Sequence, residues 1–408
     1  KEAVLEMFSK GNSLKFYYGI DPTGKDLHIG HTVQLLLLKQ LYEFGHKIII
    51  LIGDFTARVG DPTGKDTTRI PLTEEQIKEN EKDYLNQISK ILPRDYFEIK
   101  HNSDWLEKMS FGEILRLASR ATVQQMLARD MFENRIGTWK WKCPNCGNVS
   151  NSPIQFKTKS AYGTATLKDN KYQCPHCQKI MNLDKDAIFM PSEAGPIGMN
   201  EILYPLMQGY DSVAMEVDGE VGGNDQMFNM LVGRDLVKEY LKKEKIVLAT
   251  KLLVNTATGK KISKTEGGFI AINDDPQEIR RKVLDLDDKT VQTIFELCTE
   301  KEQSWIEEIS KEEPRKQKEM LADELIRMYQ GDEAVGLARK PQKYKLERGK
   351  TSLARVISEF LNTTMSAAKD LIDQGAVRIN DEVAKNWHKE IKVDDEIKVG
   401  KGKFIKIV

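Results

Sequence analysis

A strand–helix–strand pattern near the amino terminus constrains the fold more than any other feature of this 408-residue chain. Residues 14–20 are typical of a buried strand, and apolar residues recur at helical spacing from about 29 to 44. The β-branched run Lys47–Ile52 lies between glycines, as expected of a parallel strand covered on both faces. Short links join the three segments, so the sequence predicts a βαβ unit and an α/β fold.

The same alternation continues along the chain. The periodicity predicts further helices at about 72–92, 109–132, 198–209 and 225–243, and further strands at about 96–100, 212–217 and 245–250. Together these segments predict an open, Rossmann-like parallel sheet in a nucleotide-binding catalytic domain that covers residues 1–270.

Four segments depart from this alternation. Residues 134–193 contain two Cys-x-x-Cys pairs and short polar stretches, which predicts a zinc-ribbon-like insert within the catalytic domain. Residues 271–340 are predicted to form a charged helical domain, and residues 341–350 a basic linker. The last segment, 351–408, is predicted to be a small α+β domain of two short helices followed by strands.

Lysine plus arginine and aspartate plus glutamate each number 62, so the formal net charge is zero. An RNA-binding chain needs local basic faces rather than a net positive charge, so this balance does not exclude an RNA partner. The longest apolar run, residues 48–52, is too short to cross a bilayer, and residues 1–4 show no signal-peptide pattern. Four of the five cysteines form Cys-x-x-Cys pairs, which favours a reducing compartment, and we expect a cytoplasmic protein.

Two histidines lie three residues apart in segment 26–31, where a helix begins after a strand and a tight turn. The imidazoles of His28 and His31 share one face of the first helical turn, where backbone N–H groups and the helix dipole favour a phosphate. Gly30 has no side chain, so an adenine ring can lie against the backbone there. A pair of surface or capping histidines is the alternative, but the position between strand and helix favours the phosphate site.

A lysine-rich segment between glycines, residues 259–268, follows a predicted strand. Lys261 and Lys264 can move onto a polyphosphate and stabilise the charge that develops when the α-phosphate is attacked. Taken alone, such a loop is usually a solvated surface turn. The chain has no Gly-x-x-x-x-Gly-Lys-Ser/Thr pattern, which excludes a P-loop.

Together, the His-x-Gly-His element and the Lys-x-Ser-Lys element at 261–264 resemble the two signatures of class I aminoacyl-tRNA synthetases. A closer resemblance, to bacterial-type tyrosyl-tRNA synthetases, covers nearly the whole chain except the cysteine insert. It rests on residues 17–23, 53–65, 204–211 and 222–226. Tyr18 stands where the family commonly has a smaller residue near the ribose, while Ile262 and Thr265 replace a usual methionine and serine.

The resemblance implies a role for each residue that matches the family's pocket. Tyr17 and Asp211 match the pair that hydrogen-bonds the substrate phenol. The full implied tyrosine-binding set is Tyr17, Asp21, Asp61, Tyr204, Gln208, Asp211 and Gln226, of which the ammonium is held by Asp61, Tyr204 and Gln208. The implied ATP-binding residues are Gly19, Gly30, Gly223, Asp225 and Ser263. The implied phosphate-binding, catalytic residues are Thr23, His28, His31, Lys65, Arg69, Lys261, Lys264 and Thr265.

The reaction that the resemblance implies is tyrosine–tRNA ligation. The tyrosine carboxylate attacks the α-phosphate of ATP, with Mg²⁺ on the phosphates, and the terminal ribose hydroxyl of tRNA(Tyr) then attacks the tyrosyl-adenylate. Phenylalanine would leave Tyr17 and Asp211 without a hydrogen-bond partner, so the resemblance implies that it is rejected. Tyrosyl enzymes are themselves a standard example of this kind of rejection. The resemblance also implies a homodimer, with neither DNA nor a membrane among the partners.

Two Cys-Pro-x-Cys knuckles lie in the insert, and four thiolates can close a tetrahedral Zn²⁺ site. The predicted ligands are Cys143, Cys146, Cys174 and Cys177. Four free or redox-active thiols are the alternative, and His176 could replace one thiolate. The insert lies outside the resemblance. Its lysine- and tryptophan-rich entry suits a contact with the tRNA acceptor end or a stiffened dimer region, and we favour structural stabilisation as its role.

Residues 351–408 resemble a small RNA-binding module first recognised in a ribosomal small-subunit protein. The resemblance is carried by residues 353–361, 366–372 and 375–380. Because phosphate binding needs clustered cations, it implies RNA contacts from three residues and the basic linker. These residues are Arg355, Lys369 and Arg378. A generic capping domain with solvated charges is the alternative.

Three other functions share parts of this pattern. A tryptophanyl-tRNA synthetase has the same architecture, but Tyr17 with Asp211 and the last domain favour tyrosine. A non-catalytic RNA-binding or splicing relative would not need an intact His28 and Lys264. A small-molecule adenylyltransferase shares the histidine element but does not need a lysine loop beside an RNA-binding domain.

Overall fold

The computed structural model describes residues 2–9, 11–60, 72–127, 139–147, 149–151, 171–173, 176–182, 188–191, 198–256, 259, 262, 269–340, 342–346, 352–361, 363–400 and 403–408. The chain divides into two compact units, and neither is a continuous stretch of sequence. The first unit comprises Lys1–Thr23, Phe44–Glu81 and Phe97–Lys251, and the second comprises Gly24–Glu43, Lys82–Tyr96 and Leu252–Val408. The segment 1–270, predicted as one catalytic domain, therefore contributes to both units.

The described strands of the first unit form a parallel sheet and a set of antiparallel pairs. They are β1 (Lys15–Ile20), β2 (Lys47–Ile52), β3 (Phe97–His101), β4 (Trp139–Lys142), β5 (Val149–Asn151), β6 (Lys171–Gln173), β7 (Ile180–Asn182), β8 (Ile188–Pro191), β9 (Gly219–Gly223) and β10 (Ile246–Thr250). The parallel sheet has the spatial order β10-β9-β1-β2-β3, which confirms the predicted α/β fold with a Rossmann-like parallel sheet. In the cysteine-rich region β4 pairs antiparallel with β5 and β8, and β6 with β7.

Helices alternate with these strands along the chain. They are α1 (Glu2–Ser9), α2 (Ile29–Glu43), α3 (Thr56–Val59), α4 (Glu74–Ile88), α5 (Ser103–Leu106), α6 (Phe111–Ala118), α7 (Val123–Leu127), α8 (Met199–Ala214) and α9 (Met227–Leu241), with 3₁₀ turns at Arg94–Tyr96 and Asn224–Gln226. None of the described helices is both long and apolar enough to span a bilayer.

The predicted strand at 212–217 is wrong, because α8 continues through Ala214 and the strand lies at Gly219–Gly223. α8 packs closely on α9, since a Cβ atom added at Gly209 would lie 3.1 Å from the backbone nitrogen of Gly233. The true strand has three glycines and no run of β-branched residues, so strand propensity hides it. Gly219 is required there because an added Cβ would lie 2.3 Å from the ring of Phe16.

The single helix predicted at 109–132 is also wrong, because α6 ends at Ala118 and α7 begins at Val123. A capping box of Ser110 and Glu113 starts α6. The side chain of Thr122 accepts from the backbone of Gln125 at 3.2 Å, and the Gln125 side chain accepts in return at 2.8 Å. This second reciprocal cap starts a new helix and explains the interruption.

The second unit contains α2, a group of charged helices and the carboxy-terminal domain. Its later helices are α10 (Pro276–Leu284), α11 (Asp288–Cys298), α12 (Gln303–Ile309), α13 (Pro314–Gln330), α14 (Asp332–Ala338), α15 (Leu353–Phe360) and α16 (Met365–Asp373). The strands are β11 (Gln342–Tyr344), β12 (Val377–Ile379), β13 (Glu382–Val383), β14 (Glu396–Val399) and β15 (Lys403–Ile407), in the spatial order β11-β15-β14-β12-β13. The helical region and the small α+β domain thus have the predicted character.

Part of the segment predicted to be a linker, 341–350, has a different structure. β11 pairs parallel with β15 and forms an edge strand of the carboxy-terminal sheet. Tyr344 packs against the core of that domain and its hydroxyl donates to Glu359 at 2.7 Å. Within the described residues, this segment is therefore a structural part of the domain as well as a connection.

Candidate active site

Tyr17 lies in β1, fully buried, and is paired across the sheet with Glu220 of β9. Its hydroxyl shares a hydrogen bond of 3.0 Å with the hydroxyl of Ser212. Burial raises the pKa of Tyr17 well above its usual value, and the nearby charges of Glu220 and Asp211 raise it further. Tyr17 is therefore a neutral phenol at physiological pH, able both to donate and to accept a hydrogen bond.

Asp211 lies near the end of α8, only 2% exposed, and neutral groups hold its carboxylate. Oδ1 accepts from the indole N–H of Trp105 at 2.8 Å, and Oδ2 lies 3.4 Å from the donor amide of Asn102. Burial raises the pKa of Asp211 well above its usual range, although these two hydrogen bonds lower it. A buried carboxylate of this kind is a strong acceptor for a further donor.

Asp21 follows β1, at the carboxyl end of the parallel strands, where ligands of open α/β sheets usually bind. The hydroxyl of Tyr204 donates to its Oδ2 at 2.7 Å, and that of Thr56 donates to its Oδ1 at 2.8 Å. Asn102 donates to Thr56 at 2.9 Å and also faces Asp211. Asp21, Tyr204 and Asp211, named separately from the sequence, thus belong to one group of polar contacts.

Gln208, one turn before Asp211 on α8, belongs to the same side of the pocket. Its Nε2 donates to Glu220 at 3.0 Å, and its Oε1 accepts from Asn229 at 2.8 Å. The Asn229 amide also donates to Gln226 at 3.0 Å. The Oδ1 atom of Asn229 is buried and has no hydrogen-bond partner in the described part of the chain. Gln208 and Gln226, both predicted substrate contacts, are therefore brought together through Asn229.

An ion pair that the sequence did not reveal lies beside these residues. Lys245 and Glu220 are 3% and 2% exposed, and the Lys245 ammonium contacts the Glu220 carboxylate directly. The ammonium also donates to Ser212 at 2.6 Å and lies 5.6 Å from the ring centre of Tyr17. Burial lowers the pKa of Lys245, while the Glu220 carboxylate opposes that shift.

The predicted phosphate-binding histidines belong to the second unit and begin α2. The His28 and His31 rings lie 4.1 Å apart, and Nδ1 of His31 accepts from the backbone N–H of His28 at 3.1 Å. The backbone N–H of Gly30 donates to the His28 ring at 3.0 Å. A Cβ at Gly30 would lie 2.7 Å from that ring, so the folded turn itself requires glycine there.

Several other predicted site residues have defined positions. Gly19 lies in β1, Gly223 ends β9, and Asp225 lies in the 3₁₀ turn that follows. The backbone N–H of Thr23 donates to the carbonyl of Asp21 at 2.7 Å, which closes the predicted turn. The predicted residues outside the described part of the chain are Asp61, Lys65, Arg69, Lys261, Ser263, Lys264, Thr265 and Cys174.

Three of the four predicted metal ligands form a cluster in the cysteine-rich region. The sulfur atoms of Cys143, Cys146 and Cys177 all lie within 4.8 Å of one another, and those of Cys143 and Cys177 are 3.7 Å apart. The residues after the two knuckles, Gly147 and Gln178, both have positive φ, 71° and 56°. The residue after each knuckle thus has the same left-handed backbone conformation.

The predicted RNA-binding residues of the carboxy-terminal domain each have an intramolecular contact. Arg355 pairs with Glu359 at 3.3 Å, and the Arg378 guanidinium donates to the carbonyl of Asp381 at 3.0 Å. The Lys369 ammonium lies 4.1 Å from the ring centre of Trp387. Arg355 and Arg378 are exposed, and Trp387 is an aromatic neighbour that the sequence reading did not include.

The residues that the sequence reading missed are Thr56, Asn102, Trp105, Ser212, Glu220, Asn229 and Lys245. One signal for two of them was available, because Asn102 and Trp105 directly follow a predicted parallel strand. Polar residues at that edge of a sheet are candidates for a ligand site. No such signal marked Glu220 or Lys245. The sequence pattern placed them beside the ends of predicted strands, where charged residues are common.

Comparisons with known proteins place this geometry in a family. Residues 9–170 and 173–343 match the family described as tRNA synthetases class I (W and Y), and residues 353–397 match the S4 domain. A tyrosine–tRNA ligase of Carboxydothermus hydrogenoformans is 35% identical over 100% of this chain and 93% of its own length. A tyrosine–tRNA ligase of Thermotoga maritima is 32% identical, with the same coverage of 100% and 93%.

Solved structures support the same fold. A mitochondrial tyrosyl-tRNA synthetase of Aspergillus nidulans superimposes with a TM-score of 0.59 at 20% identity, covering 83% of this chain and 87% of that chain. A tyrosyl-tRNA synthetase of Archaeoglobus fulgidus, solved with L-tyrosine, superimposes with a TM-score of 0.55 at 17% identity, covering 82% and 94%. The chain, an enzyme with a class I catalytic fold and an S4 domain, belongs to the tyrosine–tRNA ligase family of the class I aminoacyl-tRNA synthetases.

Proposed function

We propose that this enzyme activates L-tyrosine with ATP to tyrosyl-adenylate and pyrophosphate, and then transfers tyrosine to the 3′ end of tRNA(Tyr). The observation that carries this proposal is Asp211, a buried carboxylate held by neutral donors close to the phenol of Tyr17. The similarity to curated tyrosine–tRNA ligases over the whole chain supports the same substrate. A cytoplasmic location is proposed on the ground of the two Cys-x-x-Cys pairs, which favour a reducing compartment.

Recognition of the substrate phenol follows from the two buried groups. Asp211 accepts a hydrogen bond from the phenol hydroxyl of the substrate, and the Tyr17 hydroxyl donates a hydrogen bond to the phenol oxygen. Phenylalanine offers neither partner and would leave both groups desolvated without a hydrogen bond, which is costly. The pocket therefore selects tyrosine through hydrogen bonds rather than through shape alone.

Recognition of the substrate ammonium is assigned to acceptors on the same side of the pocket. Tyr204 holds Asp21 by a hydrogen bond of 2.7 Å, so the carboxylate has a defined orientation toward a cation. Gln208 contributes its amide oxygen, because its nitrogen already donates to Glu220. Asp61 completes the proposed set. Gln226 is linked to Gln208, because the Asn229 amide donates to both.

The proposed ATP contacts come from both signature elements. Gly19, Gly30, Gly223, Asp225 and Ser263 are assigned to adenine and ribose, and Thr23, His28, His31, Lys65, Arg69, Lys261, Lys264 and Thr265 to the phosphates. The histidines lie at the start of α2, where the N-terminal backbone amides of a helix favour an anion. When bound, Mg²⁺ would neutralise the polyphosphate, and the lysines would stabilise the charge that develops as pyrophosphate leaves.

We propose a structural Zn²⁺ site in the cysteine-rich region, formed by Cys143, Cys146, Cys174 and Cys177. The three described sulfurs already lie within 4.8 Å of one another, close to the spacing that tetrahedral coordination requires. Cys143 is buried and the backbone N–H of Gly147 donates to its carbonyl at 2.8 Å, so the first knuckle is well formed. A zinc ion would hold the two knuckles together and so stabilise the short strands next to them.

A homodimer is the proposed assembly, and the exposed apolar side chains of the first unit support it. Phe111 is 74% exposed, Leu115 54% and Met199 68%, which is high for apolar side chains of this size. A cavity of about 200 Å³ lined by Ile114, Leu203 and other apolar residues lies next to them. Water-exposed side chains of this size beside an apolar cavity favour burial against a second copy of the chain.

RNA contacts of the carboxy-terminal domain are proposed for Arg355, Lys369 and Arg378. The S4 domain match supports a nucleic-acid role for this part of the chain. The ring of Trp387 next to the Lys369 ammonium combines a cation with an aromatic surface, a combination that suits an unpaired base or a phosphate.

ATP–pyrophosphate exchange with the purified protein tests the main proposal. We expect exchange with tyrosine, little with phenylalanine or tryptophan, and subsequent esterification of tRNA(Tyr). Faster exchange with tryptophan than with tyrosine would contradict the assignment of the amino acid. If no amino acid supports exchange, the proposed activity itself is contradicted.

A further inference from the structure

A continuous chain of buried polar contacts runs behind the proposed phenol site. It leads from Gln208 to Glu220 at 3.0 Å, from Glu220 to Lys245 by the ion pair, and from Lys245 to Ser212 at 2.6 Å. It ends with the 3.0 Å contact between the hydroxyls of Ser212 and Tyr17. Four of its members are at most 3% exposed, so water does not compete with these hydrogen bonds.

The chemistry of the two charged members fixes the direction of the hydrogen bonds. An ammonium can only donate, so Ser212 must accept from Lys245. The single proton of Ser212 is then available for the oxygen of Tyr17, and the proton of Tyr17 is left for another acceptor. A carboxylate can only accept, so the amide nitrogen of Gln208 must face Glu220.

Two acceptors compete for the hydrogen bond that Tyr17 donates: the Glu220 carboxylate and the phenol oxygen of a bound substrate. Glu220 is paired with Tyr17 in the neighbouring strand, and its charge contributes to the raised pKa of Tyr17. The Lys245 ammonium neutralises Glu220 and so weakens that competitor. A phenol oxygen bound in the pocket therefore becomes the favoured acceptor.

The stability of the fold does not explain this ion pair. Desolvation of two full charges is costly, and apolar residues of similar volume often serve a protein core equally well or better. Lys245 and Glu220 are nevertheless both buried, and the Lys245 ammonium lies 5.6 Å from the ring centre of Tyr17 in the proposed substrate pocket. A role in orienting Tyr17 accounts for their presence.

We propose that Lys245 and Glu220 are positioning residues for amino-acid selection: acting through Ser212, they direct the hydroxyl proton of Tyr17 toward the phenol oxygen of the substrate. This inference rests on the proposed function, because it concerns the same pocket. It assigns part of the discrimination between tyrosine and phenylalanine to residues that do not touch the substrate.

Ser212→Ala tests the inference most directly, because it breaks the chain while leaving the ion pair in place. We expect kcat/KM for pyrophosphate exchange to fall about tenfold with tyrosine, because the Tyr17 proton is no longer directed toward the substrate phenol. With phenylalanine, which has no phenol, kcat/KM should stay unchanged. Ser89→Ala is the matched control, because within the described part of the chain the Ser89 hydroxyl donates only to the carbonyl of Leu85 in α4. An equal loss with both amino acids would identify a packing effect and overturn the inference.

A second set of variants tests the charged residues. Lys245→Met alone leaves Glu220 buried without its cation and is expected to lower the melting temperature. Adding Glu220→Gln removes that charge while keeping an acceptor for Gln208, so the double variant should fold. In the double variant, the ratio of kcat/KM for tyrosine to kcat/KM for phenylalanine should be about tenfold lower than in the wild-type enzyme.

The outcomes separate this inference from the proposed function. A wild-type ratio in both the double variant and Ser212→Ala, with active wild-type enzyme, overturns the positioning role alone. A wild-type protein that shows no tyrosine-dependent exchange overturns the proposed function and this inference together.

Discussion

Asp211→Asn is the substitution that most sharply tests how the pocket works. The wild-type carboxylate accepts from Trp105 at 2.8 Å and from Asn102 at 3.4 Å. Asn102 cannot turn its amide, because its Oδ1 accepts from the backbone N–H of Phe55 at 3.0 Å and its nitrogen donates to Thr56. An asparagine oxygen can satisfy Trp105, which leaves its NH₂ group facing the NH₂ group of Asn102.

The expected catalytic loss follows from the acceptor that disappears. A hydrogen bond to a charged group contributes about 1.5–3 kcal/mol. Its loss corresponds to a decrease of roughly 10- to 150-fold in kcat/KM with tyrosine. Phenylalanine has no phenol to donate, so its kcat/KM should change little. The selectivity for tyrosine over phenylalanine should therefore fall by nearly the same factor.

The same substitution should change stability in a pH-dependent way. Burial raises the pKa of Asp211 in the folded protein above its usual 3.8, so the folded state holds this proton more tightly than the unfolded chain. Stability from this group is present below about pH 4 and is lost as the pH rises toward the folded pKa. Asparagine cannot ionise, so the melting temperature of the variant relative to wild type should increase with pH.

Thermal unfolding between about pH 4 and pH 8, together with pyrophosphate exchange, measures both effects. Asp235→Asn is the control, because the Asp235 side chain is 74% exposed and should affect neither quantity. The poor contact between the NH₂ groups of the variant and of Asn102 lowers the melting temperature by an amount that does not depend on pH. It therefore does not change how the difference in melting temperature varies with pH. A relative melting temperature that falls with pH, or an unchanged selectivity for tyrosine, would refute the reasoning.

Three further predictions concern the rest of the chain. The purified protein should contain about one Zn²⁺ per chain by elemental analysis, as a four-thiolate site requires, and Cys177→Ser should lower this content and the melting temperature. Phe111→Asp should convert the homodimer to monomer in sedimentation experiments, whereas Phe44→Asp, at a side chain 78% exposed, should not. Lys369→Ala should raise the KM for tRNA(Tyr) several-fold at moderate salt without changing pyrophosphate exchange, because only the first half-reaction proceeds without RNA.

The parts of the fold that could be predicted are those whose local pattern agrees with their environment. β2 is a run of β-branched residues buried on both faces, and α2 has a regular apolar spacing. β9 could not be predicted, because Gly219 is required by the close approach of Phe16 rather than by strand propensity. The interruption between α6 and α7 was readable only from two capping sequences, since the apolar spacing continues across it.

The residues of the candidate site divide in the same way, into those that lie in recognisable motifs and those whose contacts join distant positions of the chain. Tyr17, Asp21 and Asp211 were predicted because family motifs contain them. Glu220 and Lys245 were not, because their contact joins positions that are 25 residues apart and the burial of each charge depends on the other. A single sequence shows that a lysine precedes a strand but not that its ammonium meets a carboxylate inside the protein.

The charges of the described pocket indicate what a ligand must supply. Burial raises the pKa of Asp211, and the charges of Asp21 and Glu220 raise it further. Among the described residues, Lys245 is the cation that contacts Glu220 of this group. The pocket therefore has an excess of acceptors and of negative charge before a ligand binds. Tyrosine supplies both an ammonium and a phenolic donor, whereas phenylalanine supplies only the ammonium. Selectivity then arises because only tyrosine satisfies the buried acceptors at both ends of the site.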